Sequence, residues 1–216
     1  MQTNLLRNAF WYDGEIIETG IPRNDIFFKE ELHKVFRKRV CSTYNIDADS
    51  RIVLYAPTFR RDKSTKPYNI DWKNIQDAIC NMLECDKITI IIRLHPNLIN
   101  KVDTSHLIAA DNIVDGTKYH DMQELLCTAD LLITDYSSSM FDFAMLHRPC
   151  FIYANDMKKY DRGYYFSFDE LPFPLARTQE ELISKLASFE REEYDKEYKV
   201  KLPQVVTTEI DLTDDE

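Results

Sequence analysis

No run of apolar residues in this 216-residue sequence approaches the ~20 needed to span a bilayer, and the start carries no signal-peptide pattern. A cytoplasmic chain is therefore expected, at most peripheral at the inner face of the cell membrane. The five cysteines, Cys41, Cys80, Cys85, Cys127 and Cys150, are odd in number and contain no Cys-x-x-Cys pair, which argues against a disulfide framework and fits reduced thiols. No histidine has a partner at metal-ligand spacing, so neither zinc nor any other metal site is expected. Positive charge is in deficit: 27 Lys and Arg face 37 Asp and Glu, a formal charge of −10. Such a surface is not built for nucleic acid, and a phosphorylated ligand must be met by a local basic pocket. Internal repeats and low-complexity linkers are lacking too. The length suits one well-buried domain with appendages, whereas two full Rossmann-like domains are a tight fit.

What is present is organised around Asp130–Tyr153. Leu131 to Thr134 form a short apolar run that reads as a strand buried on both faces. Asp135, Tyr136 and three serines follow, and then Met140, Phe141, Phe143, Ala144 and Leu146 recur at helical spacing. Ser137 to Ser139 thus fall on the turn that opens a helix. Cys150 to Tyr153 complete a strand–helix–strand unit whose strand end meets a helix N-terminus, a place where open α/β sheets bind phosphates. Read alone, the serines are better taken as a plain cap on a core helix, since Ser is a common cap in any protein.

Two further strands precede this unit. Ile52–Tyr55 is followed by Ala56-Pro57-Thr58-Phe59-Arg60-Arg61, then by a helix capped by Asp71 with Ile75, Ala78, Ile79, Met82 and Leu83 at helical intervals. That loop is either a solvated basic loop or an anion-docking one. Ile88–Ile92 leads into Arg93-Leu94-His95-Pro96, where a His at a strand's C-terminal end suits phosphate contact or proton transfer better than a core role. Asp47-Ala48-Asp49 imitates a metal-binding Asp-x-Asp, but it precedes its strand and reads as a solvated turn. The remaining elements are a helix over 26–43 capped by Asn24 or Asp25, a short Ile113-Val114 strand, a helix capped by Asp121, and one opened by the Thr178-Gln179-Glu180-Glu181 capping box. That last helix is extended by Tyr194 to Lys199. Residues 1–19 read as the edge of something larger, 20–200 as the domain, and the acidic stretch 201–216 as disordered tail.

Thr58-Phe59-Arg60, Arg93-x-His95-Pro96 and Asp135-Tyr136-Ser137-Ser138 occur in order, with Gly20-x-Pro22-Arg23-x-Asp25 before them and Phe141-Asp142-Phe143-Ala144…Arg148-Pro149 after. This set, over residues 17 to 190, resembles the CDP-glycerol glycerophosphotransferase family of teichoic-acid polymerases and primases. The resemblance implies an α/β fold, a Rossmann-like parallel sheet with helices on both faces, corresponding to the C-terminal, donor-binding half of a GT-B fold. It implies transfer of polyol phosphate from CDP-glycerol or CDP-ribitol to a lipid-linked polymer acceptor, with release of CMP and no cofactor. In that picture His95 and Arg93 are catalytic. Thr58, Arg60, Asp135, Ser137 and Ser138 hold the donor pyrophosphate, and Asp142 and Arg162 meet ribose or polyol. The family's His-Gly-Thr motif, borne on its N-terminal domain, has no counterpart here, since no His is followed by Gly. A missing N-terminal domain or partner chain is therefore expected. Two alternatives stay open: a truncated, non-catalytic CDP-polyol-binding module, and a GT-B domain that uses a nucleotide sugar.

Overall fold

A computed structural model describes residues 7, 10–17, 21–61, 64–98, 105–108, 110–160 and 167–202. The apolar runs become strands β1 (Arg51–Ala56), β2 (Ile88–Ile92), β3 (Ile113–Asp115), β4 (Leu131–Thr134) and β5 (Cys150–Tyr153), joined by β6 (Leu175–Ala176). All pair in parallel, in the order β3-β2-β1-β4-β5-β6. Because successive side chains of a strand point to opposite faces, each central strand feeds two cores. Ile52, Leu54, Leu132 and Ile152 join one; Val53, Tyr55, Ile133 and Phe151 join the other.

Helices cover both faces. Against the first core lie α1 (Glu30–Tyr44), α3 (Met122–Thr128), α4 (Ser139–Ala144) and α6 (Arg191–Lys201). Against the second lie α2 (Trp72–Met82) and α5 (Gln179–Ala187). Asp121 caps α3 by accepting from the N–H groups of Gln123 and Glu124, and Thr178 caps α5 by accepting from Glu181, both as their sequence signatures indicate. Asp71, expected to cap α2, stands at its start but does not cap it: its carboxylate takes the Asn74 side-chain amide instead of a backbone N–H. The Asp47–Asp49 segment is a turn, in which Asp49 N–H donates to Asp47 Oδ1 and Asp47 pairs with Lys87.

The structure corrects further expectations. The helix read over 26–43 is a 3-10 turn, Pro22–Phe28, followed by α1; Lys29, at φ −104° and ψ 76°, breaks the helix between them. The break turns Phe28 outward, and Val35 is exposed as well, although both belong to the apolar stripe of a continuous helix. Asn24 is not a helix cap but a buried residue of the 3-10 turn. Tyr194 to Lys199 do not extend α5: a separate helix, α6, starts at Arg191 and packs on the opposite face. Its tyrosines reach the α4–β5 connection, where Tyr194 Oη accepts from Cys150 N–H and Tyr198 Oη donates to Ala144 O. β6 had no counterpart among the expected strands, because two residues are too few to show a period. The tail from 203 onward lies outside the described residues. Within 10–17, Phe10, Trp11 and Ile17 are exposed, Trp11 at 90%.

Gly116, just past β3, donates its N–H to Ile92 O, and a Cβ there would stand 2.5 Å from Ile91 Cγ2, a β-branched side chain buried within β2. We expect Gly116→Ala to destabilise the fold by about 1–3 kcal/mol through overpacking. The check is a lower urea midpoint at unchanged m-value.

Candidate functional site

In a doubly wound sheet the ligand crevice opens where strand order reverses, outside the strands' C-terminal ends. Here that point lies between β1 and β4, and the loops leaving both strands meet over it. Asp135, the first residue after β4, is 2% exposed. Its Oδ1 accepts the Thr58 N–H at 2.8 Å, the Thr58 hydroxyl and its neighbour Tyr136 N–H, while Oδ2 accepts Arg60 Nη2 at 2.8 Å. Arg60 continues into the loop after β5, donating from Nε and Nη2 to Asp156 at 2.6 and 2.9 Å. Aromatic rings surround the guanidinium: Tyr136 at 4.9 Å, Tyr160 at 5.4 Å and Tyr68 at 5.8 Å, with Tyr136 and Tyr160 stacked on each other. Tyr136 Oη also donates to Asp156, and Tyr68 Oη to Thr58 O.

Electrostatics follow from this closure. Burial raises the Asp135 carboxyl above its ordinary range, opposed by the charge of Arg60 and by Thr58. For Asp156, burial is outweighed by hydrogen bonds from Arg60 and Tyr136, and its carboxyl is held below the ordinary range. Burial works against the charge on Arg60, but Asp156 and Asp135 overcome it and keep the guanidinium ionised. Arg60 and Asp135, expected on a pyrophosphate, are thus committed to each other, because one cation serves two carboxylates. They fix the loops' positions.

At the end of β2, Arg93 also departs from its expected direction. Nη1 donates to the carbonyls of Gly116 at 2.9 Å and Tyr119 at 2.6 Å, pinning the loop after β3. His95 is exposed beside it, its ring 5.7 Å from that of Phe59. Asn97 N–H donates to His95 Nδ1 at 3.1 Å, so the neutral ring carries its proton on Nε2.

Ser138 is the N-cap position of α4, with its side chain exposed and capping nothing; Ser137 Oγ instead accepts from Ser139 N–H at 3.2 Å. The Asp142 carboxylate, one turn into α4, is neither solvated nor open to a sugar. It accepts Arg23 Nη2 at 3.1 Å and Asn24 Nδ2 at 2.8 Å, tying the 3-10 turn at 22–28 to this helix. Arg162, with Asp161 and Gly163, lies outside the described residues. Among the described residues no group of three or more His, Cys, Asp or Glu is arranged to hold a metal ion.

The family model described as CDP-Glycerol:Poly(glycerophosphate) glycerophosphotransferase matches residues 1–210. The chain belongs to this family. A teichoic acid poly(glycerol phosphate) polymerase of Staphylococcus epidermidis is 34% identical over 88% of this chain and 27% of its own length. A teichoic acid glycerol-phosphate transferase of Staphylococcus aureus is 34% identical over 85% of this chain and 48% of its own. The wall teichoic acid polymerase TagF, in a variant soaked with CDPG, matches at a TM-score of 0.72 and 32% identity, covering 92% of this chain and 49% of that one. The chain therefore spans about half the length of the second relative and of the solved polymerase, and its sheet corresponds to half of a GT-B architecture.

The structure brings Thr58, Arg60, Asp135, Ser137 and Ser138 to the two loops of the switch point, with Arg93 and His95 one strand away, while Asp142 faces the 3-10 turn at 22–28 from within α4. Sequence reasoning missed Asp156, Tyr68 and the roles of Arg23 and Asn24. For Asp156 the signal was its place just past a strand's C-terminal end; for Arg23 and Asn24 no local signal exists, since their partner lies more than a hundred residues away.

Removing Arg60 leaves Asp135 buried without a cation, and we expect Arg60→Ala to cost about 3–5 kcal/mol. The sign with pH is also determined. With its folded pKa raised further, Asp135 holds its proton to higher pH in the folded variant than in the unfolded chain, which ionises near pH ~4, so the variant's stability falls as pH rises above that value. Urea titrations at pH 5 and pH 8 should show Arg60→Ala more stable at pH 5. The wild type, in which Asp156 is held low, should show a smaller difference.

Proposed function

We propose that this chain is the donor-binding half of a polyol-phosphate transferase acting in the synthesis of teichoic acid or a related surface polymer, with CDP-glycerol or CDP-ribitol as donor. The observation that carries this reading is the alignment with TagF over 92% of the chain, at a TM-score of 0.72, on a fold whose strand-end loops converge at the sheet's switch point. The acceptor's terminal hydroxyl oxygen attacks the donor's β-phosphorus. A new P–O bond forms, the P–O bond to CMP breaks, CMP leaves as the phosphate anion, and the hydroxyl's proton is lost. Such a step needs positioning and charge neutralisation more than covalent help.

Ser137 and Ser138 are assigned to the pyrophosphate. Ser138 is exposed at the switch point, and the hydrogen bonds of the described residues use neither its hydroxyl nor its N–H. His95 donates from Nε2 to the leaving phosphate, a role suited to the tautomer that the Asn97 contact selects. Thr58, Arg60, Arg93 and Asp142 are positioning residues that hold the loops in place. Because the relatives extend well beyond the matched region, a facing domain or partner chain supplies the acceptor side and its base. The acceptor is a lipid-linked polymer met at the inner membrane face; no described helix is itself long and apolar enough to cross a membrane.

Calorimetry on this chain should show CDP-glycerol binding more tightly than CMP, and the Ser137→Ala/Ser138→Ala double variant should lose about tenfold in CDP-glycerol affinity, about 1.4 kcal/mol. Equal, negligible heats for both nucleotides with folded protein would sink the donor-binding reading.

A further inference from the structure

One strand over from the switch point, a cavity of about 460 Å³ opens between the loop after β1 and the loop after β5. This size is within the range of small-molecule sites. Arg61 and Lys66 stand on one wall and Lys159 on the other, and no ion pair of either lysine is found among the described residues. The acidic group lining it, Asp156, is already committed to Arg60. Among the described residues Lys66 and Lys159 therefore bring positive charge to the cavity with no carboxylate paired to it, in a chain whose formal charge is −10.

Position and shape restrict what this charge could serve. Asn155 Nδ2 donates to Pro67 O at 3.1 Å, joining the two loops across the cavity. Two aromatic rings, Phe59 and Tyr160, line it, offering apolar faces to a carbon chain beside the charged groups. Phe59 also stacks obliquely on His95, so the cavity lies one ring away from the residue assigned to the leaving phosphate. A donor pyrophosphate at Ser137 and Ser138 sits on the β4 loop, beyond the Arg60–Asp156 pair. We propose that this cavity binds a phosphodiester of the polyol-phosphate acceptor chain. Lys66 and Lys159 clasp the phosphate from opposite walls, and the polyol carbons lie along Phe59 and Tyr160. This rests on the polyol-phosphate reading for the ligand's identity, while the anion site itself is drawn from the cavity's own residues.

The test is calorimetric, on the full chain and its Lys66→Ala/Lys159→Ala variant, with three probes: a glycerol phosphate trimer, CDP-glycerol, and triglutamate as a charge control. Circular dichroism first establishes that the variant is folded, which two exposed lysines should permit. The expected result is a loss of tenfold or more in trimer affinity, CDP-glycerol affinity within twofold of wild type, and no measurable triglutamate binding. Trimer binding that survives the double substitution overturns the proposal. So does triglutamate binding as tightly as the trimer, which would make the cavity a non-specific charge patch, and so does a parallel loss of CDP-glycerol, which would give it to the donor. Lysine-dependent trimer binding by a chain that ignores CDP-glycerol would uphold this site while refuting the donor reading.

Discussion

The buried chain Thr58–Asp135–Arg60–Asp156 joins the loops leaving β1, β4 and β5 at the point where a doubly wound sheet opens. Each carboxylate is tolerable there only because the guanidinium and the Thr58 and Tyr136 donors meet it; unpaired, a buried charge of this kind costs several kcal/mol. One cation between two acids leaves a net negative charge, which the faces of three tyrosines around the guanidinium do not cancel. The network is thus poorly suited to holding a phosphate directly and well suited to fixing where other groups stand. Ser138 on one side and the Lys66–Lys159 cavity on the other take their positions from it.

A second constraint reaches the same helix from the start of the chain. Arg23 and Asn24 approach Asp142 from the 3-10 turn at 22–28, and only the Asn24 amide nitrogen can donate to a carboxylate, so its Oδ1 is left buried without a partner. Leaving a buried acceptor unmade costs about 1–3 kcal/mol. The two hydrogen bonds to Asp142 tie the 3-10 turn at 22–28 to the helix opened by Ser138 against this cost.

Much of the fold was readable from local pattern. Strands β1, β2, β4 and β5 stand where continuous runs such as Ile88–Ile92 place them, because a strand covered on both faces needs apolar residues at every position. Asp121 and Thr178 announced their helices because a cap bonds within three residues. Local pattern failed where the competing force came from afar. The break at Lys29 and the separate helix at Arg191 both let side chains reach distant partners, Asp142 for Asn24 and Cys150 for Tyr194.

The same division runs through the candidate site. By itself the sequence determined which residues gather at the C-terminal edge of the sheet, since Thr58, Arg60, His95, Asp135 and Ser138 each follow an apolar run directly or within a few residues. It also determined the family, through the order of those groups along the chain. Only the tertiary structure decided which of them are spent on one another. Arg60 reads as a phosphate ligand until Asp135 and Asp156 are seen to share it, and Arg93 until the carbonyls of Gly116 and Tyr119 are seen to hold it. A charged side chain's role depends on what it meets within hydrogen-bonding reach, and those neighbours come from strands one or two places away in the sheet but separated by tens of residues in sequence.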